Sequence, residues 1–259
     1  MKISKQTVRV NGRPIYYEVA GEGEPIVLVH GLSESTRLWY RNLPALAERY
    51  RVYLIDLPGF GAMRKFHRQF TLEGCAPWLD QWMEAVGIEM ASLVGHSMGG
   101  YVCMSLAALC PQKIKRLVLV DSIGIPPHHT VGELIYPALK SIIRTTPAFW
   151  LCINYDYLRA GPAMVMKAAQ QIVALDATAL ISSLRVPTLI VWGEDDDLVP
   201  LSAGRQLHQL LAGSRLLILP GNHFCMFEHP GEFTKALYAF LQGQEVGVEA
   251  AVSDESSGG

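Results

Sequence analysis

Six short apolar runs rich in β-branched residues recur along the chain: "PIVLVH" 25–30, "RVYLID" 51–56, "ASLVGH" 91–96, "RLVLVD" 116–121, "PTLIVW" 187–192 and "RLLILP" 215–220. They are continuous rather than alternating, the pattern of strands buried on both faces of a parallel sheet. Segments of helical length lie between or after them, at 36–49, 71–86, 98–110, 202–212 and 230–242. Strand alternating with helix implies right-handed crossovers and a doubly wound α/β sheet. Two earlier stretches, "TVRVNG" and "PIYYEVA", alternate instead and flank the Asn11-Gly12 turn signal. They predict a hairpin at the sheet edge, which brings the sheet to about eight strands.

The connection over 122–186 breaks this rhythm, because it is too long for a bare loop. Within it Val131, Leu134, Ile135, Ala138, Leu139, Ile142 and Ile143 recur at helical spacing, and further apolar groups follow. The pattern predicts a helical cap, 125–185, inserted after the sixth strand into a core formed by 1–124 and 186–243. Pro137 is expected to kink or restart the first cap helix. The small, polar stretch 244–259 is expected to be disordered.

Composition narrows the function. Half of the 259 residues are hydrophobic, and 22 basic against 24 acidic residues give a formal charge of −2. No basic run is present to meet nucleic acid, so a small-molecule partner is expected. The five cysteines are odd in number and lack CxxC spacing, which points away from a disulfide framework or zinc and toward a reducing cytoplasm. "MKISKQTVRVNG" has no signal-peptide core, and no apolar stretch is long enough to span a membrane, so the expected localisation is cytoplasmic.

Candidate chemistry centres on "LVGHSMGG", where Gly95-His96-Ser97-Met98-Gly99 forms a G-x-S-x-G turn between a buried strand and a helix. Small residues must flank a serine thrust out on such a strained turn. A serine hydroxyl needs a base, and the base a carboxylate to orient it. Of eight histidines, His96 adjoins Ser97 and should point away, and His30 suits a structural role in its loop. His128 and His129 read as a solvated pair at the start of the cap; His67, His208 and His229 read as surface residues. His223 follows the last strand directly, on the edge that presents Ser97, and is the best base. The carboxylate is Asp121, at the end of its strand, or one of the cluster 194–197 in "VWGEDDDLVP"; the order Ser…Asp…His fits both. Asp56, in "DLPGFG", reads as a holder of loop backbone.

"VLVHG" 27–31, "DLPGFG" 56–61, "GHSMGG" 95–100, "WGEDDDLVP" 192–200 and "NHFCMFEHP" 222–230, in this order, resemble the α/β-hydrolase fold superfamily, specifically a capped, cofactor-free serine esterase. The resemblance covers nearly all of 12–242. It implies that the acid is Asp196, in a Trp-Gly-x-x-Asp-x-x-Val-Pro pattern, with Asp195 and Asp197 as flanking turn residues, solvated or capping the helix near Ser202. It also implies an oxyanion hole made by the backbone N–H groups of Leu32 and Met98. Asn222 departs from the Gly-His that relatives commonly carry.

The expected activity is hydrolysis of carboxylic esters of small, mainly apolar substrates through an acyl-enzyme on Ser97, with water and no cofactor or metal. Serine at 97 excludes the epoxide- and haloalkane-opening relatives, which place Asp there, because an alkyl group on serine would be an inert ether. Cap residues such as Leu134, Leu139 and Trp150 are candidates to line the pocket, and Arg144, Arg159 and Lys167 to meet an acidic group. Two other readings are a carbon–carbon bond hydrolase acting on a diketone with the same residues, and a ligand receptor on the same fold with little turnover, against which the intact Ser97, Asp196 and His223 weigh.

Overall fold

The computed structural model describes residues 2–125 and 130–246. Its sheet comprises β1 (Ser4–Val10), β2 (Arg13–Ala20), β3 (Glu24–Val29), β4 (Tyr50–Ile55), β5 (Ala91–His96), β6 (Ile114–Val120), β7 (Thr188–Gly193) and β8 (Arg215–Leu219). The spatial order is β1-β2-β4-β3-β5-β6-β7-β8. β1 and β2 form the antiparallel edge hairpin, β2 runs antiparallel to β4, and every pairing from β4 onward is parallel.

Continuous apolar runs arise here because both faces of each central strand are covered. In β7, Leu189 and Val191 enter one apolar cluster while Ile190 and Trp192 enter the other; β3 and β6 divide in the same way. The helices are α1 (Leu43–Leu46), α2 (Cys75–Val86), α3 (Met98–Leu109), α4 (Val131–Arg144), α5 (Pro147–Ala160), α6 (Pro162–Val173), α7 (Thr178–Ser183), α8 (Leu201–Leu210), α9 (Cys225–Glu228) and α10 (Pro230–Leu241). α2, α3 and α8 cover one face through Leu79, Trp82, Val102, Leu106 and Leu207; α1 and α10 cover the other through Leu43, Leu46, Phe233 and Leu237. Each such large apolar side chain contributes about 1.5–3 kcal/mol by leaving water.

Four differences from the sequence pattern have local causes. The helix expected over 36–49 is a 3-10 helix, Thr36–Arg41, followed by the single turn α1. Pro44 at the second position of α1 clashes with a carbonyl four residues back, so the helix restarts there. Residues 61–69, unassigned by the pattern, form a further 3-10 helix, Gly61–Gln69. Pro137 neither breaks nor restarts α4, which runs through it. A proline removes its own N–H, and the bonds on either side still carry the helix. Finally, the stretch from 244 does not begin loose: the Gln244 carbonyl accepts Arg215 Nη1 at 2.6 Å, and Val246 is 5% exposed in the second cluster. The rest of the tail, 247–259, lies outside the described residues.

Between β6 and β7 lie α4 to α7. α4 and α5 pack against α6, and α5 against the 3-10 helix of 61–69. Among the described residues no helix is long and apolar enough to cross a membrane.

Candidate active site

Because β3, β5, β7 and β8 are parallel, the loops that follow them open on one edge of the sheet. Ser97 sits there between β5 and α3 with φ +50° and ψ −115°, a conformation that a residue with a β-carbon adopts only under constraint. The constraint is visible: Ser97 N–H donates to Val120 O at 2.9 Å, and Ser97 O accepts Gly100 N–H at 3.0 Å and Ile123 N–H at 3.3 Å. A β-carbon at Gly99 would lie 2.5 Å from the carbonyl oxygens of Val29 and His30, so only glycine lets α3 approach β3. Among the described residues no acceptor is paired with the N–H of Met98, at the start of α3, or of Leu32, in the loop after β3.

His223, 2% exposed, lies on the loop after β8 and directs Nδ1 to Asp196 Oδ2 at 2.7 Å. Asp196 is 5% exposed, and its Oδ1 accepts Leu198 N–H at 2.8 Å and Val199 N–H at 2.9 Å. Three donors on one carboxylate fix its orientation. Trp192 Nε1 donates to Val199 O at 2.9 Å and pins the far end of the same turn. The first end is pinned too, since Glu194 N–H donates to Leu219 O and Asp195 N–H to Gly221 O, each at 2.9 Å.

Asp121, the other sequence candidate, meets no histidine. It stands at φ +44°, fully buried, accepting Gly193 N–H at 2.7 Å on Oδ1 and the Cys225 thiol at 3.2 Å on Oδ2. Burial, and then the charge of Asp196, push its carboxyl well above the usual carboxylate range. Asp121 thus braces the β7 turn and the Cys225 thiol rather than a histidine.

A family model for the alpha/beta hydrolase fold matches residues 24–149 and 138–230. The chain belongs to the alpha/beta hydrolase fold family. Among its relatives, a 2-hydroxy-6-oxo-6-(2'-aminophenyl)hexa-2,4-dienoic acid hydrolase from Metapseudomonas resinovorans is 29% identical, over 90% of this chain and 89% of the relative. A pimeloyl-[acyl-carrier protein] methyl ester esterase from Aeromonas hydrophila is also 29% identical, over 85% of this chain and 96% of its own. The solved structure of a thermophilic esterase from Thermogutta terrifontis superposes with a TM-score of 0.79 at 26% identity, covering 94% of this chain and 99% of that one.

The remaining histidines of this hydrolase occupy varied places. His30 accepts Leu57 N–H at 3.0 Å on Nε2 and donates from Nδ1 to Gly31 O at 2.7 Å, shaping its loop. His96 turns away from Ser97, with Nδ1 3.0 Å from Glu34 Oε2 and Nε2 2.8 Å from His223 O. His67 is exposed, while His208 pairs with Ser214 Oγ at 2.8 Å and His229 with Glu232 at 3.4 Å. His128 and His129 lie outside the described residues. Asp56 holds loop backbone, accepting Thr36 N–H at 2.8 Å and Ala62 N–H at 2.7 Å.

Asp195 and Asp197 flank the turn with partly solvated side chains, 62% and 31% exposed, and pair with α4 rather than cap α8. Asp197 accepts Lys140 Nζ and Arg144 Nη1, both at 2.9 Å, and Asp195 accepts Arg144 Nη2 at 3.4 Å. The bond from Lys140, with help from Arg144, holds the Asp197 carboxyl below its ordinary value. Asn222 Nδ2 reaches Ser141 O at 3.3 Å, a third tie to α4. On the other side of the site, Asp156 of α5 accepts Ser35 Oγ at 2.6 Å and also pairs with Arg37. The loops after β3, β7 and β8 are therefore fastened to the helices between β6 and β7 by polar contacts.

Of the pocket candidates, Leu134 is half-buried, while Leu139 and Trp150 are 54% and 46% exposed. Arg144 is engaged as above, and Arg159 donates to Tyr155 Oη at 2.6 Å. Lys167 Nζ donates to His67 O at 3.3 Å. The insertion residue buried against the His223 loop is instead Phe149, whose ring lies 4.5 Å from Phe224 and 4.4 Å from Phe227. Sequence reasoning missed Glu34, Asp156 and the Lys140–Asp197 pair. Only Glu34 had a signal to offer, a lone acid inside the loop that follows "VLVHG".

Proposed function

We propose that this hydrolase cleaves carboxylic esters of small, mainly apolar substrates through an acyl-enzyme on Ser97. The observation that carries the reading is the 2.7 Å bond from His223 Nδ1 to Asp196, on the edge where Ser97 is held in its strained turn. With Nδ1–H given to Asp196, Nε2 is left as the basic nitrogen of the ring. It takes the Ser97 proton as Oγ attacks the ester carbonyl. The carbonyl oxygen becomes an oxyanion facing the N–H groups of Leu32 and Met98. His223 then returns the proton to the departing alcohol, and water repeats the sequence to release the acid. α4 to α7 serve as the cap over this site, and the small exposure of Ser97, 7%, agrees with a covered nucleophile.

The test is a panel of p-nitrophenyl esters of increasing acyl length, with mass spectrometry after a fluorophosphonate probe. Hydrolysis and an adduct on Ser97 support the reading; an adduct-free Ser97 with no ester turned over sinks it and leaves a ligand receptor.

A second reading is favoured by the Metapseudomonas resinovorans relative. A 2-hydroxy-6-oxo-dienoic acid ketonises to a vinylogous 1,5-diketone, whose carbon–carbon bond the same three side chains would cleave with water. Turnover of such a diketone far above that of any ester would select this reading.

A further inference from the structure

Two histidines on this edge share one architecture and differ in what their nitrogens meet. His30 hydrogen-bonds one donor, Leu57 N–H, and one acceptor, Gly31 O, a pairing that a ring with one N–H satisfies, with the Asp56 carboxylate beyond bonding range at 3.8 Å from Nε2. His96 faces two acceptors, the Glu34 carboxylate at 3.0 Å and the His223 carbonyl at 2.8 Å. A ring with one N–H satisfies only one of them; an imidazolium satisfies both. Glu34 Oε2 in turn already accepts Gly31 N–H at 2.6 Å.

These contacts tie three loops together. Gly31 precedes Leu32, His96 precedes Ser97, and the second acceptor belongs to His223 itself. The His96 and His223 rings stand 4.8 Å apart. A β-carbon at Gly31 would come within 2.9 Å of His96 Nδ1 and 3.0 Å of both Glu34 oxygens, so the loop is closed onto the pair. His96 is fully buried and Glu34 is 5% exposed. Removing two charges from water opposes folding by several kcal/mol per ion on general grounds, so such a pair is weak as a stabilising device. What it supplies is geometry, because charge-assisted bonds are short and directional.

We propose that Glu34 and His96 form a permanent carboxylate–imidazolium pair that acts as a positioning unit, setting the Leu32 N–H and the His223 loop relative to Ser97. The positioning half rests on the ester-hydrolase reading; the charge state of the pair does not. Burial opposes ionisation of both groups, yet their mutual charge and hydrogen bond hold the Glu34 carboxyl below its ordinary value and the His96 ring above its own. His30 also lies close to Glu34, and the Asp196 charge and the His223 carbonyl add to the effect on His96. Cys152 of α5 lies within the field of Glu34.

The experiment uses the full chain labelled with nitrogen-15 in its histidine rings, His96 being assigned by the resonance that His96→Gln removes. Both ring nitrogens of His96 are expected to stay protonated as pH rises through about 6.5, where an ordinary histidine discharges. A His96 carrying a single N–H there overturns the proposal. The decisive variant is Glu34→Gln. Its amide oxygen takes the place of Oε2, which meets both Gly31 N–H and His96 Nδ1, so those two contacts survive while the carboxylate charge goes and a neutral His96 gives up its bond to the His223 carbonyl. His96 is expected to become neutral, with kcat on the best ester falling about tenfold and KM within about twofold, less than the hundredfold or more seen on deleting an oxyanion donor itself. An unchanged kcat with a neutral His96 overturns the positioning role. Should this variant fail to fold, His96→Asn is read in its place by the same kcat and KM criteria. If the wild type hydrolyses no ester, the proposed function fails, while the ring resonances still decide the pair.

Discussion

Asp197 and Lys140 meet at 2.9 Å and join the turn that carries Asp196 to a helix inserted between β6 and β7. The two side chains are 31% and 40% exposed, so salt screens their pair. Such a pair is worth about 1 kcal/mol or less, or roughly fivefold in an equilibrium. Asp197→Asn is expected to raise KM by a few-fold with kcat little changed, and high salt to do the same to the wild type. Salt should then add little to Asp197→Asn. Steady-state kinetics across a salt series checks this; a KM insensitive to both would show that α4 is held by other contacts.

Asp196→Asn is expected to lower kcat by about 10⁴-fold through the wrong histidine tautomer. Asp121→Asn is expected to leave most activity in place. The Asp121 carboxyl is raised by burial and by the Asp196 charge, so its ionisation opposes folding increasingly as pH rises above the ordinary carboxylate value of 3.8. Removing the charge should therefore leave the protein as stable as wild type, or more so, at neutral and alkaline pH. Parallel kinetics and thermal melts of the two variants decide the matter, and a silent Asp196→Asn beside a dead Asp121→Asn would reverse the assignment.

Ser97→Gly separates strain from chemistry. The φ of +50° is unfavourable for serine and open to glycine, so relief of about 1–2 kcal/mol is expected. The variant should be inactive yet melt at higher temperature. A lowered melting temperature would mean that the turn stores no strain.

Asn222→Gly would remove two contacts: Oδ1 accepts Phe224 N–H at 2.9 Å, and Nδ2 donates to Ser141 O at 3.3 Å. Loss of the pair is expected to lower stability by about 1–2 kcal/mol, partly by loosening a loop made rigid by its side chain. Denaturant titration measures it, with hydrogen exchange in α4 reporting whether the helix loosens.

The Glu34–His96 pair also sets a pH window. The raised His96 value means that its contribution is complete below the ordinary histidine value of 6.5 and fades as pH rises through the folded value. The lowered Glu34 value means that its contribution is complete above the ordinary 4.5 and fades as pH falls through the folded value. Both are in force between 4.5 and 6.5, so the melting-temperature advantage of wild type over Glu34→Gln should be greatest there. A difference independent of pH would rule out a charged pair.

The strands were legible because burial on both faces writes itself as unbroken apolar runs, as in "PTLIVW", where alternate residues feed opposite clusters. Ser97 and His223 were legible because each directly follows such a run. Between Asp121 and the 194–197 cluster the residue pattern was neutral, since both carboxylates end or follow a strand on the same edge; the bond to His223 is a fact of three dimensions. The helix ends near Pro44 and the persistence of α4 through Pro137 depend on single backbone contacts that periodicity does not register. The ties from Asp197 to Lys140 span 57 positions, and at that distance two exposed charges look like any other solvated pair.

The turn after β7 divides three of its acids between two duties, Asp196 gripping His223 and Asp195 and Asp197 gripping α4. The insertion is therefore not a freely exchangeable module. A chimera that replaces 131–144 with another helix must bring cations to the positions of Lys140 and Arg144, or it loses the ion pairs that tie this helix to the turn bearing Asp196.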